Sequence, residues 1–137
     1  MSFVLDNSVA MAWCFHDEQT TPVMELLDRV TETGAITPTL WPLEALNGLH
    51  VAERRRRITR HQREQMTGFL RDLPVRLDGE AADRAWTSLA ELADRFTLSL
   101  YDAAYLELAQ RRDLPLATRD AALGRAARAM SIEILGD

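Results

Sequence analysis

The segment Phe3-Val4-Leu5-Asp6-Asn7-Ser8-Val9 sets the architecture of the chain. Three apolar residues run without alternation and stop at an acid. Strands buried on both faces of a parallel sheet have this pattern, whereas half-exposed strands alternate. Asp6-Asn7-Ser8 then offers capping side chains to a helix over 9–15.

The same alternation continues outward. Thr20-Thr21-Pro22 opens a second helix, with Val23, Leu26, Leu27 and Val30 at helical spacing and Gly34 as its stop. Residues 35–37 form a short strand candidate closed by Pro38. Pro42 opens a helix to about residue 55. Thr59 starts another, with Met66, Phe69 and Leu70 inward, and Pro74 ends it. Residues 75–77 read as a short strand or a connector. The spacing predicts a helix over 81–96 with Ala82, Ala85, Trp86, Leu89, Leu92 and Ala93 inward. Ser99-Leu100-Tyr101-Asp102 has the Ser-x-x-acid form of a capping box, with Asp in place of Glu. A strand over 114–118, a helix over 119–130 and a strand over 132–135 complete the chain. Short apolar strands alternating with helices, without repeats or linkers, predict one α/β domain over residues 1–137 around a parallel sheet.

The bulk properties narrow the function classes. The chain has 137 residues, one cysteine, no lysine and a net charge of −5. Its length suits one domain. The charge argues against gripping nucleic acid through bulk positive charge, so such binding needs a local basic patch. Cys14 alone builds neither a disulfide framework nor a thiolate zinc site, and reads as a small buried hydrophobe. The N-terminal segment lacks the basic and apolar regions of a signal peptide. No apolar stretch approaches the roughly 18 residues of a membrane span. A soluble, cytoplasmic protein without membrane association is the expectation.

Four carboxylates then stand out by position: Asp6, Glu44, Asp102 and Asp120. Open α/β sheets bind ligands beyond the carboxyl ends of their strands. Asp6 and Asp120 lie just past strands, and Asp102 lies in a helix start. Each also has a plainer explanation as a helix cap or first-turn acid. Glu44 shares a helix face with Asn47, three residues on, beside Leu43, Leu46 and Leu49. If the four converge, they repel. Two carboxylates ~4 Å apart cost about 4 kcal/mol at an effective dielectric near 20. Either a cation or a proton must offset that. An all-oxygen donor set suits magnesium or manganese better than zinc.

These segments resemble a known family. Val4-Leu5-Asp6-Asn7-Ser8-Val9 with Trp13, Leu40-Trp41-Pro42-Leu43-Glu44-Ala45-Leu46-Asn47, Leu98-Ser99-Leu100-Tyr101-Asp102-Ala103-Ala104-Tyr105-Leu106-Glu107-Leu108-Ala109, and Leu116-Ala117-Thr118-Arg119-Asp120 are similar, in order and spacing, to PIN-domain toxins of the VapC type. The resemblance spans nearly the whole chain. It implies a three-layer α/β/α sandwich around a parallel sheet. It implies an endoribonuclease, the toxin of a type II toxin–antitoxin pair, that uses magnesium or manganese and a metal-activated water. Asp6, Glu44, Asp102 and Asp120 are implied as catalytic and metal-site acids, with Ser8, Asn47 and Thr118 in support. A homodimer and a cognate antitoxin that blocks the site are implied as well. Ala12 departs from the pattern, because many relatives carry Lys before the tryptophan.

Other features are weighed beside this reading. The run Arg54-Arg55-Arg56-Arg57 is either a solvated helix end or a contact for RNA or an acidic partner. His16, His50 and His61 lack metal-ligand spacing. A haloacid-dehalogenase-like site would want an acid at position 8, where Ser8 stands. A receiver domain would want a late Lys, and the chain has none. A non-catalytic RNA- or protein-binding module on the same fold is the alternative.

Overall fold

The computed structural model describes residues 2–137. Its centre is a parallel sheet of five short strands in the order β3-β2-β1-β4-β5. The strands are β1 (Val4–Leu5), β2 (Ala35–Pro38), β3 (Val75–Asp78), β4 (Leu116–Ala117) and β5 (Ile134–Leu135). Val4 pairs with Ile36 on one side and with Leu116 on the other, so β1 is the central strand. Every residue of β1, β2 and β4 is buried, as the unalternating apolar runs predict. Residues 75–78 settle as a strand, pairing with β2 from Ala35↔Val75 to Pro38↔Asp78.

Helices flank the sheet to give an α/β/α sandwich. They are α1 (Asn7–Cys14), α2 (Thr21–Thr33), α3 (Trp41–Arg54), α4 (Arg60–Asp72), α5 (Ala81–Arg84), α6 (Ala90–Phe96), α7 (Leu100–Arg112) and α8 (Ala121–Ala129). No described helix is long and apolar enough to cross a membrane. Gly34 stops α2 at φ 70°, and a Cβ there would lie 3.0 Å from the Pro74 carbonyl oxygen. Only glycine meets both conditions without strain.

The stretch expected as one helix over 81–96 departs from that expectation. A π-helical turn, Ala85–Leu89, separates α5 from α6. The wider turn breaks the 3.6-residue register on which the inward face was read. Leu89 and Leu92 are buried, but Trp86 is 89% exposed and Ala82 is exposed too. Phe69, also expected inward, lies partly exposed on α4.

Helix α7 holds the site to the sheet. Ala103 to Ala109 are all buried, and the helix packs on β1, β2 and β4. Its buried Glu107 receives Arg111 Nε at 2.8 Å. The Arg111 guanidinium also reaches Asp78 Oδ1 at 2.9 Å and Glu80 Oε2 at 2.7 Å. Arg112 adds a 2.9 Å bond to Asp78 Oδ2. This ionic cluster locks the end of β3 to the end of α7.

Candidate active site

Asp6 is the first residue past the central strand, and its amide continues the ladder to Ala117 O at 3.0 Å. It stands at the N-cap position of α1, yet its side chain makes no capping bond. Instead, Oδ2 accepts Ser8 Oγ at 2.6 Å and Thr118 Oγ1 at 2.8 Å. The carboxylate is therefore held by hydroxyls from both sides of the strand pair. Ser8 Oγ in turn accepts the Arg119 amide at 2.9 Å, and Thr118 Oγ1 accepts the Asp120 amide at 3.0 Å. These bonds brace the end of β1 against the end of β4. Ser8 and Thr118, expected as supporters from the family pattern, both touch Asp6.

The other acids arrive from helix starts. Glu44 lies in the first turn of α3, where Oε1 accepts the Tyr105 hydroxyl at 2.8 Å. Asp102 lies in the first turn of α7. Ser99 Oγ accepts its amide at 3.0 Å, and the return bond of a capping box is not made. The Asp102 carboxylate is thus left for other partners. Asp120 does cap: its Oδ1 accepts the Leu123 amide at 2.8 Å at the start of α8. Asn47 lies one turn beyond Glu44, exposed, with no hydrogen bond to the acids.

Glu44 and Asp102 feel the charges of neighbouring acids. Burial chiefly raises the Asp6 carboxyl above its ordinary range, against the lowering effect of Ser8 and Thr118. Burial raises Glu44 too, with Tyr105 opposing and the charges of Asp6 and Asp102 adding to the rise. Asp102 is pushed up to about 6, first by burial and then by the charges of Asp6 and Asp120. Among the described residues no arginine forms an ion pair with any of the four. The arginines bind other acids or face solvent. A cluster of anions braced by hydroxyls and lacking a cationic partner is what a bound cation would offset.

The donor set fits such a cation in one mode. No group of three or more His, Cys, Asp or Glu side chains among the described residues is arranged to hold a metal ion unaided. Magnesium keeps several waters and binds through one or two carboxylates and substrate phosphate, and so needs no closed protein cage.

The structure adds Tyr105 to these residues. It is fully buried, and its hydroxyl belongs to the site. Two signals were available in the sequence. A buried Tyr hydroxyl seeks a partner, and position 105 follows Asp102 on the same helix face.

The Arg54–Arg57 run lies at the other end of α3 and just beyond it. Ten residues separate Arg54 from Glu44, or about 15 Å of helix. Arg54, Arg55 and Arg56 are exposed. Arg57 bonds Asp17 and Glu18 at 2.8 Å each and lies 3.9 Å from the Phe15 ring centroid.

A parallel sheet whose central strand ends in an acid, with further acids at the starts of α3, α7 and α8, defines an α/β protein with an acidic site at the carboxyl edge. The chain belongs to the PIN domain family, whose model matches residues 3–129. PIN domains are generally metal-dependent nucleases. The chain is also similar in structure to PAE2754 from Pyrobaculum aerophilum, with a TM-score of 0.62 and 19% identity over 92% of this chain and 84% of that one. At that identity the likeness speaks for the fold alone. No curated protein matches the chain in sequence.

Proposed function

We propose that the chain is a magnesium- or manganese-dependent endoribonuclease and the toxin of a type II toxin–antitoxin pair, of the VapC type. The observation that carries the nuclease reading is that the charges of Asp6 and Asp102 reach Glu44, and those of Asp6 and Asp120 reach Asp102, with no arginine paired to any of the four. Of Asp6, Asp102, Glu44 and Asp120, one or two would hold the cation directly and the others would reach it through its waters. Once bound, a divalent cation supplies Lewis acidity toward a phosphodiester and lowers the pKa of water.

The protein's own residues do the positioning. Ser8 and Thr118 fix the Asp6 carboxylate. Tyr105 fixes Glu44, and its phenol is held well above its usual pKa, by burial first and then by Glu44, so it stays a donor. A cation bound by the raised carboxyls of Asp6, Glu44 and Asp102 would displace protons from them.

Partners follow from the surface. A groove of about 290 Å³ runs beside α3, lined by Trp41, Pro42, Ala45, Leu46, Leu70 and Leu77. A protein segment seated there would cover the helix turn that carries Glu44, which suits a blocking antitoxin. Exposed Leu43, Trp86, Leu100 and Tyr101 suit burial against a second copy. The exposed Arg54, Arg55 and Arg56 suit an acidic partner or RNA.

Incubation of the purified chain with a mixed cellular RNA pool tests the reading. Discrete fragments in magnesium or manganese, abolished by chelator, are expected. Cutting that persists in chelator, or intact RNA with either metal, would refute it.

A further inference from the structure

An acidic site repels the polyanion it must hold. The chain has 21 acids against 16 basic residues, all arginine, so attraction has to come from placement. Most arginines near the carboxyl edge of the sheet already have partners. Arg119 Nη1 donates to the Glu18 carbonyl oxygen at 2.9 Å, and Arg128 pairs with Asp137. Arg125 is different. It is exposed, and among the described residues it has no carboxylate partner. Arg95 has none either, and its guanidinium lies 4.7 Å from the Phe96 ring centroid.

Arg125 sits on α8, five residues beyond Asp120, about 7.5 Å along the axis. Helical side chains lean toward the N-terminus of their helix, here toward the end that Asp120 caps. Two adjoining hollows record the result. One, of about 230 Å³, is lined by Thr118, Arg119, Asp120, Arg125 and the Arg128–Asp137 pair. The other, of about 280 Å³, is lined by Arg95, Phe96, Thr97 and Arg125. Arg125 is a wall of both. Arg125 therefore stands between Asp120 on one side and an arginine stacked on an aromatic ring on the other. Guanidinium beside a phosphate path and an aromatic face for bases are the two elements of single-strand recognition.

We propose that Arg125 and the Arg95–Phe96 pair hold the RNA strand on the Asp120 side of the acids, Arg125 on a backbone phosphate and Arg95 with Phe96 on the neighbouring nucleotide. The inference rests on the RNA-cleaving reading and adds where the strand lies.

The test is binding of the full chain to a labelled single-stranded RNA oligomer in chelator, measured by anisotropy across a salt series. Each lost phosphate contact flattens the log–log salt slope by about 0.7 for single strands. Arg125→Ala flattens it by that amount and weakens binding several-fold at low salt. Arg95→Ala with Arg125→Ala flattens it by about 1.4 if Arg95 also meets phosphate. Arg76→Ala removes the same charge from the opposite edge of the sheet, beside Gly34 and Pro74, and leaves the slope in place. Equal slopes for Arg125→Ala and Arg76→Ala would overturn the strand placement. A parent chain that neither binds nor cuts RNA overturns the nuclease reading and the strand placement together. A parent that cuts RNA while the slopes stay put overturns the strand placement alone. If Arg125→Ala loses a polyglutamate peptide but not RNA, the surface docks an acidic protein and the proposal fails. All three arginines are exposed, so melting temperatures should match the parent and certify the fold.

Discussion

The hydroxyl of Tyr105 donates to Glu44 Oε1 at 2.8 Å, joining residues 61 positions apart in the chain. One bond thereby sets the acid of α3 against the helix that carries Asp102. Tyr105→Phe keeps the buried ring and removes only the donor. A buried bond to a charged group contributes about 1.5–3 kcal/mol, so a lower melting temperature is expected. Weaker manganese binding by calorimetry should accompany it, by about 10-fold as for other groups that orient a ligand. Unchanged manganese affinity would show that Glu44 needs no such orientation.

Asp6→Asn and Asp102→Asn preserve shape and remove one repelling charge. Cleavage should fall about 100-fold or more, beyond the loss typical of supporting groups. In chelator the variants should melt at or above the parent's temperature, because the cluster then loses repulsion. Parent-like cleavage rates would remove these acids from the chemistry.

The proton–metal competition has a defined sign. Asp102 titrates near 6 in the fold, above its ordinary 3.8. A raised carboxyl favours the protonated fold, so its stabilisation is full below the unfolded value and fades as pH rises through about 6. Without metal, the Asp102 contribution therefore declines between about pH 4 and 7. A divalent cation binds the ionised acids and reverses that trend. The gain in melting temperature on adding manganese should grow from pH 5 to 7.5, and the acidic limb of any cleavage profile should fall near 6. An equal gain at both pH values would contradict the assignment.

Arg111 serves two buried acids, Asp78 and Glu107. Arg111→Met leaves both without their main partner. Breaking a buried pair from one side costs about 3–5 kcal/mol, which a urea midpoint at neutral pH would show. Asp78 is held well below its usual range, chiefly by Arg111. Its stabilisation is present above the unfolded value and lost as pH falls below about 4. The gap between parent and variant should narrow at pH 3, and a constant gap would mean that Asp78 contributes little.

The strand-and-helix order could be read from Phe3-Val4-Leu5, Thr20-Thr21-Pro22 and Gly34 because buried strands and caps leave strong local marks. Trp86 was misplaced because a π-turn leaves no mark in hydrophobic spacing. Among the acids, sequence alone could not separate cap from site. The structure does so unevenly: Asp6 and Asp102 make no cap bond from their side chains, while Asp120 does. Tyr105 was legible as buried but not as bonded, since its partner is distant in sequence.

The pairing of Asp6 with Thr118 also bears on how the protein comes into being. A ribosome makes Asp6 112 residues before Thr118. Until β4 is made, the central strand lacks one neighbour and its acid lacks one of its two hydroxyl braces. The acidic site is therefore complete only once β4 has been made and has paired with β1.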